Sequence, residues 1–131
     1  MKNGSQKPKN SPPDSYRGRI GRRGEDLAAA FFASKGFEIV DRNWRCRVGE
    51  IDLVVRKGQE FRFVEVKMRR THAFGYPEAS ITAQKLRHLA GAIELWLGTH
   101  PCTPKTYQAD VLAISWLKEE DKPCIEWIEG V

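Results

Sequence analysis

The stretch GEIDLVVRKGQEFRFVEVK, residues 49–67, constrains this chain more than any other. It places two runs of β-branched and aromatic residues on either side of Lys57-Gly58-Gln59-Glu60, the pattern of two strands joined by a tight turn. A two-residue loop at Gly58-Gln59 pairs Lys57 with Glu60. Counted back along both strands, that register sets Asp52 opposite Glu65 and Glu50 opposite Lys67. Side chains alternate along a strand, so Glu65 and Lys67 share one face while Val64, Val66 and Met68 take the other. The Asp52 and Glu65 Cβ atoms would then lie about 5 Å apart.

Such an arrangement needs a physical reason. A lone carboxylate is costly to bury, and two facing carboxylates repel. They are stable together if a cation lies between them or if one keeps its proton. All-oxygen donors suit a hard cation, Mg²⁺ or Mn²⁺. A lysine alongside can hold or deprotonate a water, or offset charge developing on a phosphate. These are the parts needed for phosphodiester hydrolysis. The competing reading is a solvated strand face carrying a weak ion pair. Three polar groups in register within otherwise apolar strands favour the site.

The rest of the chain supplies the frame. Residues 1–18 are rich in Lys, Asn, Ser, Pro and Gly without apolar periodicity, and read as a disordered basic tail ahead of one domain, 19–131. Ile20, Gly24, Leu27 and Phe31 predict a helix from about Arg19 to Lys35, stopped at Gly36. Residues 37–46, 50–56 and 60–69 read as three strands. A second helix is expected from about Glu78 to Gly98, with Ile81, Leu86, Leu89, Ile93, Trp96 and Leu97 inward. Residues 107–115 make a fourth strand, and Cys124 to Ile128 a short fifth. The order α-β-β-β-α-β-β predicts an α/β domain with a mixed sheet.

The chain has 131 residues, with 22 basic and 17 acidic side chains and a net charge of +5. That balance hints at a polyanionic partner. Residues 1–23 carry a net +6, so the remainder sums to −1 and any nucleic-acid affinity there must come from local patches. No apolar run is long enough to span a membrane, and the N-terminus lacks the apolar core of a secretory signal. Cys46, Cys102 and Cys124 fit neither a disulfide framework nor zinc spacing, which points to a reduced cytoplasmic protein.

Asp52, twelve intervening residues, then Glu65-Val66-Lys67 resembles the PD-(D/E)xK nuclease pattern, with Ile51 in place of the proline. Gly24-Glu25 with Ala28, Arg42-Asn43-Trp44-Arg45, Gly49-Glu50-Ile51-Asp52-Leu53, Phe63-Val64-Glu65-Val66-Lys67, Phe74-Gly75, Lys85 and Ala109-Asp110-Val111 resemble, in that order, the YraN-like family of small bacterial proteins. That resemblance covers roughly residues 19–128. It implies a restriction-endonuclease-like fold and a metal-dependent nuclease, similar to archaeal Holliday-junction resolvases. It also implies a homodimer and branched DNA as a substrate. By the same resemblance Asp52 and Glu65 hold Mg²⁺ or Mn²⁺, Glu25 and the Val66 carbonyl complete the metal site, and Lys67 assists the water. The alternative is a non-catalytic nucleic-acid-binding module that keeps the fold.

Other residues carry two readings each. Glu25 is a metal ligand or an acid favoured at a helix N-terminus. Arg42, Arg45 and Arg47 around Trp44 either grip phosphates with the indole stacked on a base, or are solvated around a core tryptophan. Arg69 and Arg70 lead, with His72, into a stretch containing Phe74, Gly75 and Tyr76 that would embrace DNA, the nucleic acid expected ahead of RNA. Lys85 and Arg87 either contact phosphate or face solvent. Asp110 is a structural partner or a further acid near the site. His72, His88 and His100 show no metal spacing and read as surface residues, whereas Trp96, Trp116 and Trp127 read as core.

Overall fold

In the computed structural model the described residues are 16–69, 82–101, 106–116 and 122–131. They form α1 (Tyr16–Ser34), β1 (Glu38–Cys46), β2 (Gly49–Lys57), β3 (Glu60–Arg69), α2 (Ala83–Thr99), β4 (Thr106–Ser115) and β5 (Cys124–Ile128). The five strands lie in sequence order in one sheet. β3 and β4 are parallel, because the chain crosses between them through α2. The other neighbours are antiparallel. This is the expected mixed α/β architecture and element order. No helix among the described residues is long and apolar enough to cross a membrane.

Each helix covers one face of the sheet. Ala28 and Phe32 of α1 pack with Leu53, Val55, Val64, Val66, Leu112, Ile114 and Trp116. Leu89, Ala92, Ile93 and Trp96 of α2 pack with Ile51, Val54, Phe61 and Phe63. Alternating residues of β3 therefore serve alternate cores, which is why its sequence is apolar on both faces. Phe31, Phe32 and Phe37 meet Trp127 edge to face and tie α1 and the β1 entrance to β5.

Several boundaries and faces differ from expectation. The inward stripe of α1 centres on Ala28 and Phe32, with Leu27 and Phe31 only partly buried. Gly24 fixes that rotation, because a Cβ there would collide with the Met68 sulfur. α1 begins at Tyr16, three residues before the expected start, and residues 1–15 lie outside the described ones. α2 begins at Ala83 rather than Glu78. Thr82 is extended and its hydroxyl accepts from the Lys85 N–H at 3.1 Å, which defines the N-cap. Ile81, His72, Phe74 and Cys102 lie outside the described residues.

Candidate metal centre at a strand fork

The turn behaves as its sequence requires. Gly58 has φ +63°, a conformation that favours glycine. The β2–β3 register then follows the expected count through five pairs, from Lys57↔Glu60 to Leu53↔Val64. Asp52 and Glu65 would come next, and there the ladder ends. β2 continues pairing only with β1, as far as Gly49, and β3 only with β4, as far as Arg69. The two strands part like a fork.

Parting strands leave backbone groups without ladder partners, and buried ones must be satisfied otherwise. The Val66 N–H is satisfied by Asp52, whose Oδ2 accepts it at 2.8 Å. A strand residue sends its N–H and C=O to the same edge, so the Val66 carbonyl opens toward the fork as well. Strict alternation does not survive here. Leu53 belongs to the α1-side core and Ile51 to the α2-side core, although they are two residues apart. The residue between them, Asp52, turns its carboxylate edgewise into the gap. β1 shows the matching irregularity at Asn43, which has φ +52°. Arg42 and Asn43 both reach α1, to Asp26 Oδ1 at 2.8 Å and Glu25 Oε1 at 3.2 Å, while Trp44 packs toward α2.

The electrostatics of the fork are those of crowded acids. Burial, followed by the Glu65 and Glu50 charges, holds the Asp52 carboxyl well above the usual carboxylate range, against the pull of the Val66 N–H. Burial also raises Glu65; the ammonium groups of Lys67 and then Lys85 oppose this, and Glu50 adds to it. Glu50 stands within hydrogen-bonding reach of Asp52 at the strand end. Glu50 also pairs with Arg45 at 3.2 Å. Sequence reasoning gave Glu50 no role beyond facing Lys67, a pairing the ladder does not reach. Its signal was its place one residue from Ile51 and two from Asp52 at the strand end.

The other expected site residues divide clearly. Lys67 and Lys85 act on Glu65 from β3 and from the first turn of α2. Gly49 lies against the His88 backbone, where a side chain would crowd the His88 carbonyl, and this brings α2 to the fork. Glu25 Oε1 accepts from Asn43 Nδ2 at 3.2 Å. No three carboxylate, imidazole or thiol side chains converge as a metal cage among the described residues. Arg45 and Arg47 edge an open depression of about 430 Å³ with Glu50. Arg42 is engaged with Asp26, and Trp44 packs against the core rather than standing free to stack on a base. Arg69 closes β3, and Arg70 lies outside the described residues. His88 is exposed as expected, whereas His100 stacks on Trp96 at 4.0 Å beside Asp41.

Asp110 proves structural. It is fully buried, and its carboxylate accepts from Arg62 Nη1 (2.9 Å), Trp127 Nε1 (2.9 Å), Gln108 Nε2 (2.8 Å) and the Gly130 N–H (3.0 Å). Arg62 also pairs with Glu60 and Glu129.

The two half-buried acids and the directed carbonyl of the fork suit a hard divalent cation that keeps waters in its remaining positions. A cation there would relieve the repulsion that raises Asp52 and Glu65.

The model of the uncharacterised protein family UPF0102 matches residues 24–114. A UPF0102 protein of Geobacter sulfurreducens is 44% identical over 109 residues, covering 83% of this chain and 84% of its own. One from Streptomyces griseus is 47% identical over 88 residues, 67% of this chain and 74% of its own. One from an Arthrobacter species is 39% identical over 113 residues, 86% of this chain and 94% of its own.

Proposed function

This chain belongs to the uncharacterised family UPF0102, and from that premise we propose that it is a Mg²⁺- or Mn²⁺-dependent nuclease that hydrolyses phosphodiester bonds in nucleic acid, DNA ahead of RNA. The YraN-like motifs in its sequence lead to the same family. One observation carries the reading: Asp52 and Glu65, both raised by burial, meet at the β2–β3 fork with Lys67 beside them. The bland alternative of a solvated strand face predicts acids near their ordinary range.

Asp52, Glu65 and the Val66 carbonyl would hold the cation, which when bound supplies positive charge to the reacting phosphate and acidifies water. The chain's own groups do the rest. The Val66 N–H donates to Asp52 at 2.8 Å and so holds that carboxylate in one orientation. Lys67 orients the attacking water or offsets the charge that grows on the phosphate. Lys85 adds a second positive group on the α2 side. Arg45, freed from Glu50 by a competing phosphate, would hold the backbone of the substrate.

A non-catalytic binding module is the second reading, and the engagement of Glu25 by Asn43 favours it. One assay set separates the two. The protein and a Lys67→Ala variant are incubated with branched, single-stranded and duplex DNA in Mg²⁺, Mn²⁺ or EDTA. Metal-dependent cleavage that the variant loses is the expected result. Salt-sensitive binding by the wild type with no cleavage of any substrate would leave the module.

A further inference from the structure

We propose that Arg22 and Arg23 of α1, together with Arg42 of β1, form a second phosphate-gripping surface that takes the sugar–phosphate backbone of a nucleic acid on the α1 side of the sheet. The proposal rests on the nucleic-acid reading above. The basic residues that the sequence offers most readily for such contact begin at Arg42, and this surface adds two that precede it.

Arg22, Arg23, Asp26 and Leu27 line an open depression of about 470 Å³. Arg42 Nη2 reaches Asp26 Oδ1 at 2.8 Å, an exposed ion pair that a competing phosphate can open, so a third guanidinium stands at the rim of this depression. The next acid along, Glu25, is turned to Asn43. Arg23 lies over the Trp116 ring, 5.0 Å from its centroid, and Trp116 is itself fixed in the α1-side core. Stacking uses the face of a guanidinium, so an oxygen acceptor meets such a group along its edge. It also restricts the side chain beforehand, which reduces the entropy lost when a ligand binds. A planar donor fork held on an aromatic ring suits a phosphodiester better than it suits a lone solvated charge.

The location of this surface points the same way. Gly24 lies against Met68, the residue after Lys67, so this part of α1 abuts the same end of β3 as the fork. Lys85 acts on Glu65 from the helix on the opposite face. Positive groups therefore flank the fork from both faces of the sheet, and a backbone that enters the fork can continue onto α1.

The test is the salt dependence of binding to a short duplex DNA, in EDTA, for the full chain and for the Arg22→Gln/Arg23→Gln and Arg22→Gln variants. Removing one phosphate-binding cation lowers the slope of log affinity against log salt by about one. The double variant should lose about two from the slope and bind on the order of ten- to a hundred-fold more weakly at low salt. The single variant should lose about one, and it keeps the stacked Arg23, so it reports even if the double variant melts early. Mn²⁺ titration of both variants should match the wild type. Wild-type slope and affinity in both variants would overturn the proposal, as would a wild-type protein that binds no duplex at low salt. Because binding is read without metal, failure of the fork to take Mn²⁺ would sink the nuclease reading and leave this surface standing.

Discussion

Asp110 on β4 and Asp52 on β2 are acids set into apolar strands of the same sheet, and they are solvated by the protein in opposite ways. Asp110 is surrounded by donors: a guanidinium, an indole, an amide side chain and a backbone N–H. Asp52 receives the Val66 N–H and otherwise meets Glu65 and Glu50. The first environment stabilises a negative charge and consumes its hydrogen-bonding capacity. The second leaves the acid crowded, raised and still able to accept a ligand. Burial of a carboxylate alone does not mark a functional site; burial among like charges does so far better.

The largest effect is expected at the structural acid. Arg62→Leu leaves Asp110 buried without its cation, and we expect a loss of about 3–5 kcal/mol in urea unfolding. A loss below about 1 kcal/mol would mean that Asp110 is no more committed than Asp52. At the fork the sign reverses. Asp52→Asn removes a charge that the fold disfavours, so the metal-free variant should melt about 2–4 °C higher than the wild type. An equal fall in melting temperature would show that Asp52 serves the fold as Asp110 does.

The same contrast predicts a pH dependence. Asp52 and Glu65 have folded pKa values raised above the unfolded values of about 4. Their contribution is fully present below that pH and is lost as pH rises through the folded values, because the native state then binds more protons than the unfolded one. Metal-free stability should therefore decline upward from about pH 4, and the decline should flatten in an Asp52→Asn/Glu65→Gln variant. Urea unfolding across pH measures it; the same slope in wild type and variant would assign the decline elsewhere. The smallest effect is expected at the exposed Arg56–Glu38 pair, 3.0 Å apart, where Glu38→Ala should cost no more than about 0.5 kcal/mol.

Much of this was legible from residue order. Turn chemistry at Gly58-Gln59 gave the register through Leu53↔Val64, and β3 and β5 have the bounds their patterns predict. Alternation stopped being informative at Asp52, because a fork and a left-handed Asn43 are decided by how three strands and α1 fit together, which no period-2 pattern encodes. The resemblance set Glu25 at the metal site, whereas its observed partner, Asn43, was set by the path of β1. Glu50 was hidden by being ordinary: an exposed acid at a strand end, paired with Arg45 across the hairpin. The role of Asp110 depended on donors drawn from as far along the chain as Gly130.

Direct titration of the metal-free protein with Mn²⁺, followed by electron paramagnetic resonance, addresses the fork without any choice of nucleic acid. The wild type should take up one equivalent, and Asp52→Asn and Glu65→Gln should each lose it while remaining folded. No uptake by the wild type, or undiminished uptake by both variants, would contradict a cation site between β2 and β3.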